Sequence, residues 1–524
     1  MIRGVALVVL SAAIAGCAVQ PIALEDVPRT PSYTTIDLGS TTLGREVERL
    51  AAPHDGKSGF YVLERGEEAL LWRGALIDRA ERTVDAQYFI WSEDNVGTIA
   101  AERLLRAANR GARVRVLVDD LALATDPRFL AMLDQHPRIE IRLYNPTGVV
   151  GRKFLPKAFS VLADFHRLNR RMHNKALIVD GAAAIIGGRN IADEYFDMHR
   201  EFNFRDRDVV TVGPVVRQIS EGFDRYWNSV WSAPVEAFVR ADFTEAERDA
   251  YYARLQAYAL DPKHFPDRFQ GALADTHAQL RDLGSRLVWG EARLIYDIPG
   301  KNDDVKRLNA FGETGKQLTD AAAQAKSEIL AETPYLALMP GTLDLIRDVR
   351  SRGVSVRILT NSLAATDNVF TFSRYAPQRV PLLRQGVELH EIMPHPEYLG
   401  EIVTRLPRMA VPAHLALHAK TMVIDRRIVF IGSFNMDPRS THLNTEMGVL
   451  VDSPELAAQV AAAIERDMDL ANSWKVTLAP DDGRLTWSWV AGGRAQSTHS
   501  EPEADAGSLL QLMLFSLMPI GSLI

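Results

Sequence analysis

Cysteine is nearly absent from this sequence, since Cys17 is the only one among 524 residues. A disulfide within the chain is therefore excluded, and so is a zinc site built from several thiolates. Long apolar runs are missing as well. Residues 4–15 and 508–524 are apolar, but each stretch is shorter than the ~20 residues that a membrane-spanning helix needs.

The chain also lacks an excess of positive charge, because 67 Asp and Glu outnumber 60 Lys and Arg and give a net charge of −7. A protein that binds nucleic acid over a broad surface normally has a basic face. We therefore expect no nucleic-acid partner. The 47% hydrophobic content is ordinary for a packed globular enzyme, and the length favours two or three domains.

The pattern His-x-Lys-x₄-Asp occurs twice. The first copy is His173, Lys175 and Asp180, and the second is His418, Lys420 and Asp425. In both copies six residues separate the Asp from a Gly-x-x-Asn or Gly-Ser-x-Asn run, formed by Gly187, Gly188 and Asn190 or by Gly432, Ser433 and Asn435. Identical spacing in two copies indicates that each is half of a duplicated active site.

Each copy predicts a strand with an imidazole and an ammonium on one face. Residues i and i+2 of a strand share a face, so the histidine and lysine of MHNKALIVD or LHAKTMVID project together. Small residues after the next apolar run let backbone N–H groups approach an anion. Together these groups suit nucleophilic chemistry at an anionic centre. Metal ligation by the histidines fits poorly, because lysine rather than a second ligand follows each of them.

The sequence around the two copies repeats as well. GARVRVLVDD at 111–120 resembles GVSVRILTNS at 353–362, and PRIEIRLYNP at 137–146 resembles GVELHEIMPH at 386–395. The shared order is strand, helix, strand, strand and histidine strand, which predicts an α/β fold with helices on both faces of the sheet. We expect two tandem α-β-α domains with pseudo-two-fold symmetry and one active site at their interface.

These motifs resemble the phospholipase D superfamily, which is named for its paired HKD motifs, and within it the bacterial cardiolipin synthases of the C-type clade. The resemblance covers roughly residues 55–475 and includes DAQYFIW, RLNRRMHNK, GGRNIADEYF and GSFNMDPRSTHLNTEMG. It implies phospholipase D-type domains and phospholipid substrates at a membrane surface, with no metal and no cofactor. Whether a partner protein is needed stays open.

The resemblance implies phosphoryl transfer through a covalent histidine intermediate. We expect His173 to be the nucleophile and His418 the acid and base, since an imidazole pKa of about 6.5 suits both tasks; the order of the two is left open. The expected phosphate-binding residues are Lys175, Lys420, Asn190, Asn435, Ser433 and Gly188. Asp180 and Asp425 complete the catalytic motifs, but their odd spacing from the histidines predicts that they face away and fix a turn.

Family matching also offers an acceptor for the second nitrogen of each imidazole. Glu446, in NTEMGVL, is predicted to orient one histidine, and Asp208, in RDRDVVTV, is its predicted counterpart. Such an acceptor fixes the tautomer and the direction of the ring. An ordinary carboxylate at a strand edge is the alternative for each.

The N-terminus predicts a targeting segment. Arg3 precedes the short apolar stretch, and Ile14-Ala15-Gly16-Cys17 resembles a bacterial lipoprotein cleavage site. Lipid on Cys17 would give stable membrane attachment. We expect a lipid-anchored protein of the bacterial cell envelope that faces the periplasm or another extracytoplasmic side, with the outer membrane as one option. A plain signal peptide or uncleaved anchor is the alternative.

The predicted organisation follows from these features. It consists of a lipoprotein-type signal peptide (1–16), an N-terminal tether (17–55), a first phospholipase D-like domain (56–231), a helical insertion (232–285), a second phospholipase D-like domain (286–476) and a C-terminal extension (477–524). Residues 491–507 are predicted to be a polar, mobile linker. The apolar end, 508–524, predicts either contact with the membrane interface or docking onto the domain.

The expected activity is that of a cardiolipin synthase-type phosphatidyltransferase, with phosphatidylglycerol as acceptor. A phospholipase D hydrolase, in which water is the acceptor, is the first alternative. A nuclease of the same superfamily is opposed by the acidic charge, and an inactive membrane-tethered scaffold is opposed by two complete motifs. The sequence leaves open whether phosphatidylglycerol or phosphatidylethanolamine is the donor, and it does not give the oligomeric state.

Overall fold

Strands and helices alternate along both halves of the chain. The structure is a computed structural model that describes residues 23–121, 123–146, 169–239, 242–265, 283–301, 311–402 and 414–518. The strands of the first half are β1 (Ser58–Leu63), β2 (Thr83–Tyr88), β3 (Trp91–Ser92), β4 (Arg113–Asp119), β5 (Leu123–Ala124), β6 (Ile139–Tyr144), β7 (Ala176–Val179), β8 (Ala183–Gly187), β9 (Phe202–Arg205), β10 (Asp208–Val212) and β11 (Ser232–Pro234). Those of the second half are β12 (Val288–Tyr296), β13 (Glu328–Glu332), β14 (Ser355–Asn361), β15 (Glu388–Ile392), β16 (His414–Leu417), β17 (Thr421–Ile424), β18 (Ile428–Gly432), β19 (Met447–Asp452), β20 (Ser473–Leu478), β21 (Leu485–Ala491) and β22 (Arg494–Thr498).

The α-helices follow the same duplication. They are α1 (Thr42–Ala51), α2 (Gly66–Asp78), α3 (Asn95–Asn109), α4 (Pro127–Asp134), α5 (Pro214–Trp227), α6 (Glu245–Leu260), α7 (Glu313–Ala323), α8 (Pro340–Ser351), α9 (Val369–Tyr375), α10 (Arg379–Arg384), α11 (Leu399–Ile402), α12 (Pro438–His442), α13 (Pro454–Asp467) and α14 (Ala506–Ser516). Helix α6 lies within the predicted insertion, part of which falls outside the described residues.

Within the described residues, both halves contribute to one 18-stranded sheet. Its order is β11-β6-β4-β2-β7-β8-β10-β1-β12-β19-β18-β17-β13-β14-β15-β20-β21-β22. The halves meet where β1 pairs antiparallel with β12, and equivalent strands follow in the same order on both sides of this joint. The predicted α/β fold of two equivalent tandem domains is confirmed.

Apolar side chains on opposite faces of the sheet form separate layers. In β10, Val209 packs in the layer that contains α5, whereas Val210 packs in the layer that contains α2 and α3. In the second half α13 joins the α5 layer, and α7 and α8 cover the opposite face. One apolar layer therefore spans both halves, and its removal from water stabilises the joint between them.

The residues predicted to form a tether are attached to the first half. Thr34 donates its backbone N–H to Asp224 (2.8 Å), and the buried Arg115 donates to the Ser32 carbonyl (2.8 Å). Helix α1 follows directly. The tether prediction is therefore wrong for residues 23–55, because Asp224 of α5 and the buried Arg115 of β4 bind the backbone of this segment and a helix follows it.

The stretch predicted to be a mobile linker begins with a β-hairpin. Gly492 and Gly493 connect β21 with β22 at φ values of 55° and 74°, which suit a two-residue turn. Trp487 of β21 is buried and donates its indole N–H to Glu391 (2.9 Å). The linker prediction is wrong because the alternating residues before the Gly-Gly pair extend the sheet, and that pair was the available hairpin signal. The sheet also continues past the predicted domain ends, through β11 and through β20–β22.

The predicted signal peptide and Cys17 lie outside the described residues, so lipidation stays a prediction. Within the described ranges, no helix combines the length and the apolar character needed to cross a bilayer.

Candidate active site

The motif histidines and lysines lie immediately before strands β7 and β17. Those strands begin at Ala176 and Thr421, one residue after each motif lysine. The prediction that the histidine and lysine belong to the strand is wrong in this respect. The reason is that each histidine backbone pairs across the interface with the other half of the chain instead of with a neighbouring strand of its own half.

His173 is held by the second half. Its backbone N–H donates to the carbonyl of Thr445 (2.9 Å), and its Nδ1 lies 2.9 Å from Oε2 of Glu446. Phe89 meets the imidazole edge-on, with 5.0 Å between ring centroids. The structure thus brings the predicted carboxylate of Glu446 to the first histidine.

His418 is held by the first half in the same manner. Its backbone N–H donates to the carbonyl of Arg205 (2.7 Å), and its Nδ1 lies 2.6 Å from Oδ2 of Asp206. The rings of Tyr195 and Phe204 lie 5.1 and 4.8 Å from the imidazole centroid. Each imidazole is therefore oriented by a carboxylate of the opposite half, so the site requires both domains.

Asp208 is not the second orienting residue, and that prediction is wrong. Its buried carboxylate pairs with Arg73 (2.9 Å) and Arg189 (3.4 Å). Asp208 is the first residue of β10, and its carboxylate binds the two arginines instead of an imidazole. Sequence analysis missed Asp206, which lies two residues earlier.

The strand register explains how Asp206 corresponds to Glu446. Strand β10 pairs with β8, and β19 pairs with β18, in equivalent registers. Superposing these pairs places Asp208 at the position of Gly448 and Asp206 at the position of Glu446. An ungapped alignment of DVVTV with GVLVD would have found the orienting aspartate in the sequence.

Ser433 and Gly188 each lie against an orienting carboxylate. Ser433 binds the carboxylate of Glu446, and Gly188 leaves room for that of Asp206. The Ser433 hydroxyl donates to Oε2 of Glu446 (2.5 Å), and the Ser440 hydroxyl donates to Oε1 (2.7 Å). A Cβ atom at Gly188 would lie only 2.1 Å from Oδ1 of Asp206. The shorter aspartate thus fills the space of a serine side chain, which explains why the first motif has glycine where the second has serine.

The two rings present their Nε2 atoms to the site. A carboxylate at Nδ1 makes that nitrogen the donor and leaves the lone pair on Nε2. Neither Nε2 has a hydrogen-bond partner among the described residues, although His173 and His418 are only 6% and 5% exposed. Each ring can therefore attack an electrophile or exchange a proton through Nε2.

The motif lysines act electrostatically on both imidazoles. Nζ of Lys175 donates to the His173 carbonyl (2.6 Å), and Nζ of Lys420 donates to the His418 carbonyl. An ammonium has three hydrogens, so each lysine retains donors for an anion. Nδ2 of Asn190 is buried without a partner in the described part of the chain, and so is Oδ1 of Asn435. Asn190 therefore has an unused donor for a phosphoryl oxygen.

Burial holds the two lysines close to their titration range. Burial lowers the pKa of Lys175 to about 7 and that of Lys420 to about 8, against the attraction of Glu446 and Asp206. A bound anion favours the ammonium form and would raise both pKa values. The site is therefore poised to bind a negatively charged group.

The motif aspartates lie away from the imidazoles, as predicted, although each one follows the end of a strand that the histidine does not belong to. Asp180 accepts the backbone N–H groups of Glu81, Arg82 and Thr83, and Asp425 accepts those of Lys326, Ser327 and Glu328. Each aspartate thus ties the end of β7 or β17 to the start of β2 or β13. The two aspartates are part of the motif, but they bind backbone N–H groups and do not contact the histidines.

No group of three or more His, Cys, Asp or Glu side chains in the described ranges is arranged to hold a metal ion. His414 lies four residues before His418, but its Nε2 lies 3.3 Å from the Ala365 carbonyl, a contact in which the ring nitrogen is the donor. A metal-free reaction stays a prediction.

We expect both motif imidazoles to titrate well below the ordinary histidine range. Burial lowers the pKa of His173 to about 4 and that of His418 to about 3, and the two lysines lower it further against the pull of the carboxylates. The folded pKa therefore lies below the unfolded value of about 6.5. The stability that they contribute as neutral rings is complete above pH ~6.5 and is lost as the pH falls through about 4 for His173 and about 3 for His418.

Histidine-selective NMR titration of the intact chain checks this expectation, with His173→Asn and His418→Asn variants to assign the resonances. Both signals should stay in the neutral form at pH 6. Inorganic vanadate bound in the site should raise both midpoints, because a nearby anion favours the imidazolium. Midpoints near 6.5 for both rings in the free protein would contradict the buried, paired arrangement.

A comparison of sequences places this site among known proteins. A family model described as cardiolipin synthase, phospholipase D-like domain, matches residues 74–227 and 318–468, and each match contains one motif copy. The chain is 36% identical to cardiolipin synthase C of Escherichia coli strain K12, over 91% of this chain and 98% of that protein. It is 24% identical to the major cardiolipin synthase ClsA of Bacillus subtilis strain 168, over 75% of this chain and 65% of that protein.

A solved structure shares the fold. The phosphatidylserine synthase of Haemophilus influenzae Rd KW20 is similar with a TM-score of 0.53 and 12% identity, and the likeness covers 82% of this chain and 92% of that one. At 12% identity, this likeness shows that the two proteins share the arrangement of strands and helices and nothing further.

Proposed function

The chain belongs to the cardiolipin synthase family of phospholipase D-like proteins, and on this premise we propose that it transfers a phosphatidyl group from a phospholipid donor to a hydroxyl of phosphatidylglycerol. The observation that carries the proposal is the pair of imidazoles, each oriented by a carboxylate of the opposite half and each beside a buried lysine. Two such imidazoles can serve a displacement at phosphorus in two steps.

The first step forms a covalent intermediate. Nε2 of His173 attacks the phosphodiester phosphorus, a P–N bond forms, and the P–O bond to the headgroup alcohol breaks. Protonated His418 gives its Nε2 proton to the departing oxygen. The phosphatidyl group is then attached to His173, and His418 is neutral.

The second step regenerates the enzyme. The hydroxyl oxygen of phosphatidylglycerol attacks the same phosphorus while neutral His418 takes its proton. The P–N bond breaks and frees His173. If water takes the place of the alcohol, the product is phosphatidic acid, so hydrolysis by the same intermediate is the competing outcome.

Lys175, Lys420 and Asn190 supply positive charge and a donor for the phosphoryl oxygens. The negative charge on those oxygens grows or shifts in the transition state, and donors already fixed in a buried site stabilise it without reorganisation. Binding of the anionic substrate also raises the pKa of the neighbouring imidazoles, which supplies the protonated His418 that the first step needs.

The proposed location is the cell envelope, with lipid on Cys17 as the anchor. A lipid anchor would keep the enzyme on the surface that contains both substrates, so collisions with lipid would not require diffusion through water. This part of the proposal rests on the sequence around Cys17.

Product analysis tests the activity. The mature chain is incubated in EDTA with vesicles of phosphatidylethanolamine and phosphatidylglycerol, or of either lipid alone, beside a His173→Ala control. We expect cardiolipin only with the intact enzyme. The single-lipid vesicles identify the donor, since product from phosphatidylglycerol alone shows that it can fill both roles. Phosphatidic acid without cardiolipin would overturn transfer in favour of hydrolysis.

A further inference from the structure

The C-terminal helix exposes an unusual amount of apolar surface. Six of the ten large hydrophobic side chains that the described residues expose lie on α14 or just after it, namely Leu509, Leu510, Met513, Leu514, Leu517 and Met518. Leu517 is 78% exposed. No charged residue occurs from Ala506 to the end of the sequence. A helix that is apolar on all sides is stable in an apolar medium rather than in water.

The helix is nevertheless fixed to the second half. Phe515 packs edge-on against Phe370 of α9, with 5.2 Å between ring centroids. Arg374 donates to the carbonyl of Met518 (2.7 Å), and Leu512 packs against the apolar layer of the second half. The exposed face is therefore held in a defined direction relative to the active site.

Two cavities with lining residues in common lie between this helix and Lys420. A groove of about 660 Å³ lies between Leu512 and Ser516 of α14 and the segment that contains Leu338 and Met339. The same Leu338 and Met339 line a cavity of about 70 Å³ that reaches Lys420. Leu338 and Met339 thus separate the groove at α14 from a cavity that Lys420 also lines.

We propose that α14 docks the protein on a phospholipid leaflet, with its exposed face in the acyl layer and its groove next to the chains of the lipid whose phosphate lies at Lys420. A phospholipid leaflet fits the exposed face because the helix has no charged residue and because its groove borders the cavity that Lys420 lines. The proposal rests on the proposed function for the identity of that lipid. It requires no change of conformation.

Three substitutions on the exposed face test the proposal in the full chain. Leu510→Ser, Met513→Ser and Leu517→Ser are combined, and Cys17→Ser is added so that no acyl anchor contributes to binding. The matched control carries Tyr33→Ser, Leu260→Ser and Ile298→Ser on the same background, because these three side chains are equally exposed elsewhere. Sedimentation with vesicles of phosphatidylethanolamine and phosphatidylglycerol measures binding.

We expect the α14 variant to lose at least about tenfold in vesicle affinity and in turnover on vesicles, since interfacial binding scales with the apolar area inserted. The control should behave like the parent. Turnover of dihexanoyl phospholipids dissolved as monomers should be unchanged in both variants, because a monomeric substrate requires no docking. Equal vesicle affinity of the α14 variant and the control would overturn the proposal.

Two further outcomes separate the possible occupants and functions. If the α14 variant changes only from a dimer to a monomer in sedimentation velocity and still binds vesicles, the face joins two copies of the chain and the proposal is overturned. If vesicle binding depends on α14 but no lipid product forms with any variant, the docking proposal stands and the proposed function fails.

Discussion

His173→Ala and His418→Ala are each expected to lower the rate of phosphatidyl transfer by about 10⁴-fold or more, because one removes a reacting nucleophile and the other the acid and base. His136→Ala is the matched control, since this histidine bonds Asn109 on the surface of the first half and should leave the rate unchanged. Cardiolipin formation from mixed vesicles is the measurement. Substantial turnover by either motif variant would contradict one site shared by both histidines.

A substrate with an activated leaving group separates the two roles. Phosphatidyl-p-nitrophenol releases p-nitrophenolate, which needs no proton from the enzyme. His418→Ala should therefore keep a burst of p-nitrophenolate and accumulate the phosphatidyl group on His173, where mass spectrometry detects it. His173→Ala should show neither. A burst in His173→Ala with the adduct on His418 would exchange the assignments.

Asp206→Asn is expected to lower kcat by about 10²- to 10⁴-fold without unfolding the chain. The reason is that the amide no longer requires a proton on Nδ1 of His418, so the ring loses its fixed tautomer and its charge stabilisation. The pKa of the Asp206 carboxyl lies well below its usual range, because His418 and Lys420 outweigh the effect of burial. The variant should therefore also shift the pH dependence of kcat, which a purely structural residue would not do.

Asp208→Asn is the discriminating comparison, because it changes the residue two positions along the same segment. It removes the negative partner of Arg73 and Arg189, both buried, and a broken buried ion pair costs about 3–5 kcal/mol. We expect a lower melting temperature but a normal pH profile for the fraction that stays folded. Equal pH profiles and equal kcat losses in the two variants would reject Asp206 as the positioning residue of His418.

Several features of the fold follow directly from the sequence. Alternating apolar residues and the repeated order of strands and helices determine an α/β sheet with two equivalent halves. The spacing within each motif identifies His173, Lys175, His418 and Lys420, because their chemistry is local to each copy. The odd spacing of the motif aspartates also predicted that they face away from the imidazoles.

Other features depend on contacts that local patterns do not encode. Residues 32–34 have no periodicity that predicts their contacts, but Asp224 and the buried Arg115 bind their backbone within what was expected to be an extended tether. Helix α1 did have a signal that the tether prediction overlooked, since Leu43, Val47 and Leu50 follow a helical spacing. The C-terminal hairpin was interpreted as a linker, although burial of Trp487 against the second half stabilises it.

The sequence by itself determined the fold class, the duplication and the four reacting or anion-binding side chains of the two motifs. Only the tertiary structure decided which carboxylate orients which histidine. Glu446 is 273 residues from His173, and Asp206 is 212 residues from His418. The physical reason is that periodicity reports which face of a strand a residue occupies, whereas the partner across a domain interface depends on how the two halves pack.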